Sequence, residues 1–287
     1  MSGGGDAITR QFDFSGIRLS LSGLVPALAG RLDEEWRGFA AAADAAPTLL
    51  EVDVAWSDGP YAAGEYAPKS MQADFADGHA TFEMPEGTAR VVGSRATLRL
   101  VRAAGEDRAF YTLLNLVRAS LAHRLPSRGA ALVHAAGLVV EERGWLLVGG
   151  SGAGKSTWAR LGARSGARVI SDDVVIVDRE ADGAFMVAAA PLGSSYRVEY
   201  RPGRWSLAAV LHPRHAADVE ITTTPRVLAQ ARLVANLPFV TEALATDGRV
   251  ARFVEELCAR IPQRDFAFAT DTDVATCLAS VDLAGGA

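Results

Sequence analysis

At 287 residues, 49% hydrophobic and 22% charged, the chain has globular composition and enough apolar side chains for one large core or two ordinary ones, which excludes disordered and fibrous classes. A formal net charge of −5, with no run of Lys or Arg, excludes the basic face that a nucleic-acid backbone requires, so nucleic acid is not expected as a partner. No stretch of about 18 apolar residues occurs, and the opening MSGGGDAITR lacks a basic segment followed by an apolar one; a soluble, cytoplasmic protein with no membrane partner is expected.

From Ile17 to about Arg102, short alternating segments such as Thr48–Val54, Ala80–Phe82 and Ala96–Val101 predict a β-rich region, with a helix over Arg31–Ala43. Asp107 precedes a helical face of Phe110, Leu113, Leu114, Val117 and Leu121 that closes at Pro126. The pattern then changes, so the expected domains are 1–127, β-rich and suited to substrate recognition, and 128–287. The second opens on a hairpin: Ala131–Val140, a turn Glu141-Glu142-Arg143-Gly144, and Trp145–Val148. A helix Lys155–Arg164, strands Ala167–Ser171, Val174–Val177, Phe185–Ala190 and Leu207–Leu211, and helices Pro225–Asn236 and Arg249–Arg260 follow. Phe266 and Phe268 alternate in Asp265–Ala269 as in an outer strand, before a last helix near Val274. The two cysteines, Cys258 and Cys277, sit in apolar helical stretches and read as free thiols in a reducing compartment.

Gly149-Gly150-Ser151-Gly152-Ala153-Gly154-Lys155-Ser156-Thr157 matches the phosphate-binding pattern G-x-x-x-x-G-K-[ST], between a strand and a helix as that pattern requires. Its glycines let successive backbone N–H groups turn towards phosphate oxygens, and the helix N-terminus adds partial positive charge. Lys155 is then the cation on the β- and γ-phosphates and Ser156 a ligand of Mg²⁺, which makes ATP and Mg²⁺ the expected cofactors. Only two of the 29 basic residues are Lys, at 69 and 155, so Lys155 stands where this composition would otherwise favour Arg. Asp172-Asp173 ends the strand after the loop's helix. If that strand lies parallel and adjacent to the loop's own strand, both carboxylates reach the phosphates, one for metal and one as proton acceptor. A solvated pair at a strand end is the competing reading of the same residues.

No Asn-Lys-x-Asp guanine-reading motif occurs, and the loop lies mid-chain after a hairpin rather than on a first strand. In this order Leu132-Val133-His134, the hairpin, the loop and Val169-Ile170-Ser171-Asp172-Asp173 resemble the HPr kinase/phosphorylase family, whose nucleotide fold is shared with phosphoenolpyruvate carboxykinases. The resemblance covers a little over half the chain. It implies an α/β fold with a mixed-sheet P-loop kinase core behind the β-rich N-terminal region, and transfer of the γ-phosphate to a serine of a protein or peptide. By the same resemblance Asp173 is the base that takes the serine proton, and Asp172 supports the metal. His134 is an active-site histidine, although in an apolar hairpin it also reads as a structural one. Glu199, in Val198-Glu199-Tyr200-Arg201, matches a second metal ligand. Arg197, Arg201 and Arg204 are candidates for stabilising transition-state charge. Arg201-Pro202-Gly203-Arg204 looks like a Pro-Gly-Arg stretch the family uses in the phosphorylase reaction, but it falls too early for that role to transfer. The family includes hexamers, which leaves a homo-oligomer open. A small-molecule kinase and an ATP-gated binding or assembly protein are the alternatives.

Overall fold

The computed structural model describes residues 7–42, 47–59, 71–76, 79–193, 201–239, 248–269 and 271–283. It is a mixed α/β protein in two units, Met1–Arg124 and Leu125–Ala287.

In the first unit, seven described strands make one sheet in the order β1-β2-β3-β7-β6-β5-β4: β1 Ile8–Asp13, β2 Arg18–Leu24, β3 Leu50–Ser57, β4 Gln72–Ala76, β5 His79–Met84, β6 Gly87–Val92 and β7 Arg95–Val101. The two contacts of β3, with β2 and with β7, are parallel, and the other four are antiparallel. Helix α1 spans Pro26–Glu35, not Arg31–Ala43. Proline at its first turn presets the helical φ there, and the segment that follows is drawn off the helix axis by burial. Trp36 and Phe39 pack edge-on with Phe12 and Phe14 at centroid distances of 4.6 to 5.7 Å. Helix α2, Glu106–Arg124, buries Phe110, Leu113, Val117 and Leu121 as its periodicity predicts.

The second unit is built around β8, Ala130–Val140, which is buried along nearly its whole length and so is covered on both faces. One edge of β8 carries β9, Arg143–Val148, across a hairpin with Val140 opposite Arg143. The turn is therefore the two residues Glu141-Glu142, shorter than expected. Both have positive φ, 51° and 57°, which is the backbone of a tight primed turn without the usual glycine or asparagine. The other edge of β8 carries β10, Arg168–Ser171, and β11, Val174–Arg179. Next come β12, Phe185–Ala188, the twelve-residue β13, Arg204–His215, then β15, Gln263–Phe268, and β14, Glu220–Thr223. Because β13 also pairs with β9, the ladders close a circuit from β8 through β9, β13, β12 and β11 back to β8.

Two expectations are corrected here. The strand with Phe266 and Phe268 is an inner one, between β13 and β14. Its aromatic rings are buried in a cluster with Trp145, Leu147, Trp158 and Leu278, and the mostly exposed Thr-bearing β14 takes the edge. The strand before the Asp pair, β10, does not adjoin β9. It pairs antiparallel with β8, which separates the two. Helices α3 Lys155–Arg164 and α6 Val274–Leu283 contribute to that same cluster, while α4 Arg226–Ala235 and α5 Arg249–Arg260 pack against each other. On α5, Phe253 lies edge-on against Phe185 of β12 at 5.7 Å.

Candidate functional site

Strand β9 ends at Val148 and the glycine-rich segment begins at once. An added Cβ at Gly149 would stand 2.9 Å from the Ala153 Cβ and 3.0 Å from Cγ of Pro213, so only glycine lets the chain leave the sheet here. Pro213 is tolerated in β13 because β9 has already turned away. Its missing N–H faces no ladder partner on that edge, since the β9 pairing stops at Leu211. At the far end of the loop Gly154 adopts φ 95° and hands the chain to α3, whose N-terminus has no side-chain cap. The first N–H groups of α3 are thus left for an outside acceptor, and the helix dipole favours an anion there.

The register of β8 brings the remaining candidates to this loop. Ala135 stands opposite Val148, the last residue before Gly149, and on its other edge its N–H donates to the Asp173 carbonyl at 3.0 Å. One residue earlier, His134 Nδ1 lies 2.9 Å from the Asp173 carbonyl oxygen and 3.1 Å from Asp173 Oδ1. Both neighbours are acceptors once Asp173 is ionised, so Nδ1 carries the hydrogen. The His134 backbone N–H donates to the Asn236 carbonyl at the C-terminal end of α4, 2.7 Å away. His134, Asp172, Asp173, Lys155, Ser156, Thr157, Ser151, Gly152 and Gly154 line one cleft of about 350 Å³.

Charge in the cleft is poised rather than neutralised. Lys155 is buried, and its Nζ donates to the carbonyls of Gly149 at 2.6 Å and Gly150 at 3.0 Å. Burial lowers its pKa from the ordinary lysine value, and the Asp173 charge works in the opposite direction. Asp172 is only 3% exposed, and neither carboxylate oxygen has a hydrogen-bond partner of normal geometry. Its pKa is raised, first by burial and then by the Asp173 charge, against the opposing effects of its own backbone N–H, the Ser156 hydroxyl and His134. A buried carboxylate without partners is costly unless a cation meets it. Among the described residues no group of three His, Cys, Asp or Glu could hold a metal. The donor set Ser156 plus Asp172 instead suits Mg²⁺, which takes one or two carboxylates and fills its shell with phosphate oxygens and water.

The raised Asp172 pKa has a measurable sign. The group favours the fold fully below its unfolded value, near pH 4, and that contribution is lost as pH rises through its folded value. Asp172→Asn is therefore expected to be more stable than wild type at pH 7 without metal, with the gain shrinking towards pH 4. Thermal melts in chelator across that range measure it, and an Asn variant no more stable at pH 7 would contradict the orphaned charge.

Not every candidate reaches the cleft. Arg204 is engaged elsewhere, donating to Asp178 at 2.6 Å and to Glu180, so it is no free cation for a phosphoryl group. Arg201 is exposed, and Arg197 and Glu199 lie outside the described residues. Conversely, sequence reasoning passed over Ser171, Pro213 and Asn236. The Ser171 side chain, fully buried, accepts from the backbone N–H groups of Asp173 at 3.2 Å and Val174 at 3.1 Å. A serine two residues ahead of the candidate carboxylate was a readable turn signal.

No family model matches the chain, and no curated protein matches it. Among solved structures it matches the HPr(Ser) kinase/phosphatase from Coxiella burnetii, with 12% identity and a TM-score of 0.33 over 54% of this chain and 99% of that one. That is a distant likeness, and function is read from the cleft itself. Among the described residues no helix is long and apolar enough to cross a membrane.

Proposed function

We propose that the chain is a Mg²⁺- and ATP-dependent kinase that transfers the γ-phosphoryl group to a hydroxyl, a serine of a protein or peptide. The observation that carries the reading is the meeting of Lys155, Ser156, Asp172 and Asp173 around one cleft at a glycine-rich strand-to-helix turn. A loop that only bound nucleotide would need Lys155 and the open N–H groups of α3. It would have no use for a second, partly exposed carboxylate oriented by a histidine.

On this reading the loop N–H groups and Lys155 hold the β- and γ-phosphates, and Lys155 exchanges its bonds to Gly149 and Gly150 for phosphate oxygens. Ser156 and Asp172 would hold Mg²⁺, which would supply positive charge against the phosphates. Asp173 accepts the proton of the acceptor hydroxyl as its oxygen bonds to the γ-phosphorus and the bond to the β-phosphate oxygen breaks, releasing ADP. His134, donating from Nδ1, keeps the Asp173 carboxylate turned to the acceptor side. The assignment of serine as acceptor rests on the motif order described from the sequence.

The test is transfer from γ-labelled ATP with Mg²⁺, offered a cell extract and a panel of serine-, threonine- and alanine-bearing peptides. The expected result is label on serine in a discrete acceptor, lost when the metal is chelated. Tight ATP binding with neither transfer nor hydrolysis would sink the kinase and leave a nucleotide-gated binding protein. Label on small metabolites alone would replace the peptide acceptor.

A further inference from the structure

Strands β10 and β11 are two halves of one antiparallel partner of β8. Arg168 and Val169 pair with Val139 and Leu138; after an irregularity before Ser171 the register steps by one, and Ser171 with Gly137 and Val174 with His134 then share one register across Asp172-Asp173. That register puts Asp173 opposite Ala135. In a regular pair of this kind the two residues exchange both N–H···O bonds. Here the Ala135 N–H donates to the Asp173 carbonyl, while the Asp173 N–H donates to Ser171 Oγ, and the next N–H, of Val174, does the same. A side-chain hydroxyl two residues back has replaced the carbonyl across the ladder, which is how serine competes with regular secondary structure.

The replacement falls where the site needs it. Asp172 lies inside the break, with both carboxylate oxygens buried and without a hydrogen-bond partner of normal geometry, and lines the cleft beside Ser156. Asp173 keeps its carbonyl in the ladder while its carboxylate stays at His134. Alternation in an unbroken strand would send these two neighbouring side chains to opposite faces, yet both line the same cleft. We propose that Ser171 is the positioning residue of the site: its hydroxyl holds the break in the ladder that turns Asp172 and Asp173 together to the phosphate side. The inference rests on the kinase reading, since it assigns Ser171 to the pair that would hold metal and accept the proton.

The experiment is calorimetric titration of the full chain with ADP, with and without Mg²⁺, for wild type, Ser171→Ala, Ser171→Thr and Ser171→Val. The last two have matching volume and differ in a hydroxyl against a methyl, so they separate the hydrogen bonds from any burden of size in the buried site. The loop is untouched, so metal-free ADP affinity is expected to stay within about twofold of wild type in all three variants, while the gain from Mg²⁺ falls at least about tenfold in the Ala and Val variants and is kept in the Thr variant. Turnover of the labelled acceptor follows the same order. If Ala and Val keep the full Mg²⁺ gain, or Thr loses it as completely as Val, Ser171 is an ordinary buried serine and the inference is overturned while the kinase reading stands. If wild type itself gains nothing from Mg²⁺, the kinase reading fails and the inference with it.

Discussion

Asp173→Asn is expected to leave ATP affinity close to wild type and to lower phosphoryl transfer by about 10²- to 10⁴-fold, the usual contribution of a positioned general base. The substitution keeps the shape of the side chain and its contact with His134 Nδ1, but an amide cannot take the acceptor proton. A readout of binding beside single-turnover transfer separates the two effects. If transfer persists within a few-fold of wild type, Asp173 is not the base. A fall in affinity matching the fall in transfer would instead mean that its charge serves the nucleotide, acting with Lys155, whose pKa it already influences.

Lys155→Ala is expected to weaken ATP by about 30- to several-thousand-fold, the range for removing one partner of a buried, hydrogen-bonded charge pair. Two features of this chain point to the upper part of that range. The side chain is buried within the loop, so no water restores the lost charge cheaply, and in the free protein its ammonium also ties the Gly149 and Gly150 carbonyls into the loop. Lys155→Arg is expected to rescue little, since a planar fork does not fit where a compact ammonium meets two carbonyls of one turn. Fluorescent-nucleotide titration measures both variants. An Ala variant within threefold of wild type would mean that the loop does not hold phosphates.

The elements that could be read from the sequence were those whose signal is local. The strand, loop and helix around Gly149–Ser156 depend on glycine, lysine and neighbouring periodicity, and the apolar faces of α2 and α5 repeat over enough turns to stand out. What escaped depended on partners distant in sequence. Nothing near Phe266 announces that β14 covers its strand, and nothing in Arg168–Ser171 says that β8, not β9, is its neighbour. The helix placed at Arg31–Ala43 shifted to Pro26–Glu35 because the burial of Trp36 and Phe39 beside Phe12 and Phe14 outweighed weak helical propensity. At the cleft, residue types suggested Lys155, Ser156 and the Asp pair as candidates. The role of Ser171 and the unpartnered Asp172 oxygens needed the register of β8. Arg204 looked available because its ion pairs with Asp178 and Glu180 cross a strand pairing that sequence spacing does not show.

Among the described residues, everything that lines the cleft, from His134 to Asp173, comes from about forty consecutive positions, a short span for loop closure. The site is therefore a local cooperative unit, assembled by β8, its hairpin partner and the strand that returns beside it, with little entropy spent on distant encounters. Hydrogen exchange is the natural place to see this. Amides of β8, β9 and β11 should open together, while β14, the edge strand paired with β15 among the described strands, exchanges on its own and faster. On the kinase reading, the residues that meet the phosphates sit in this one unit, and the choice of acceptor falls to the rest of the chain.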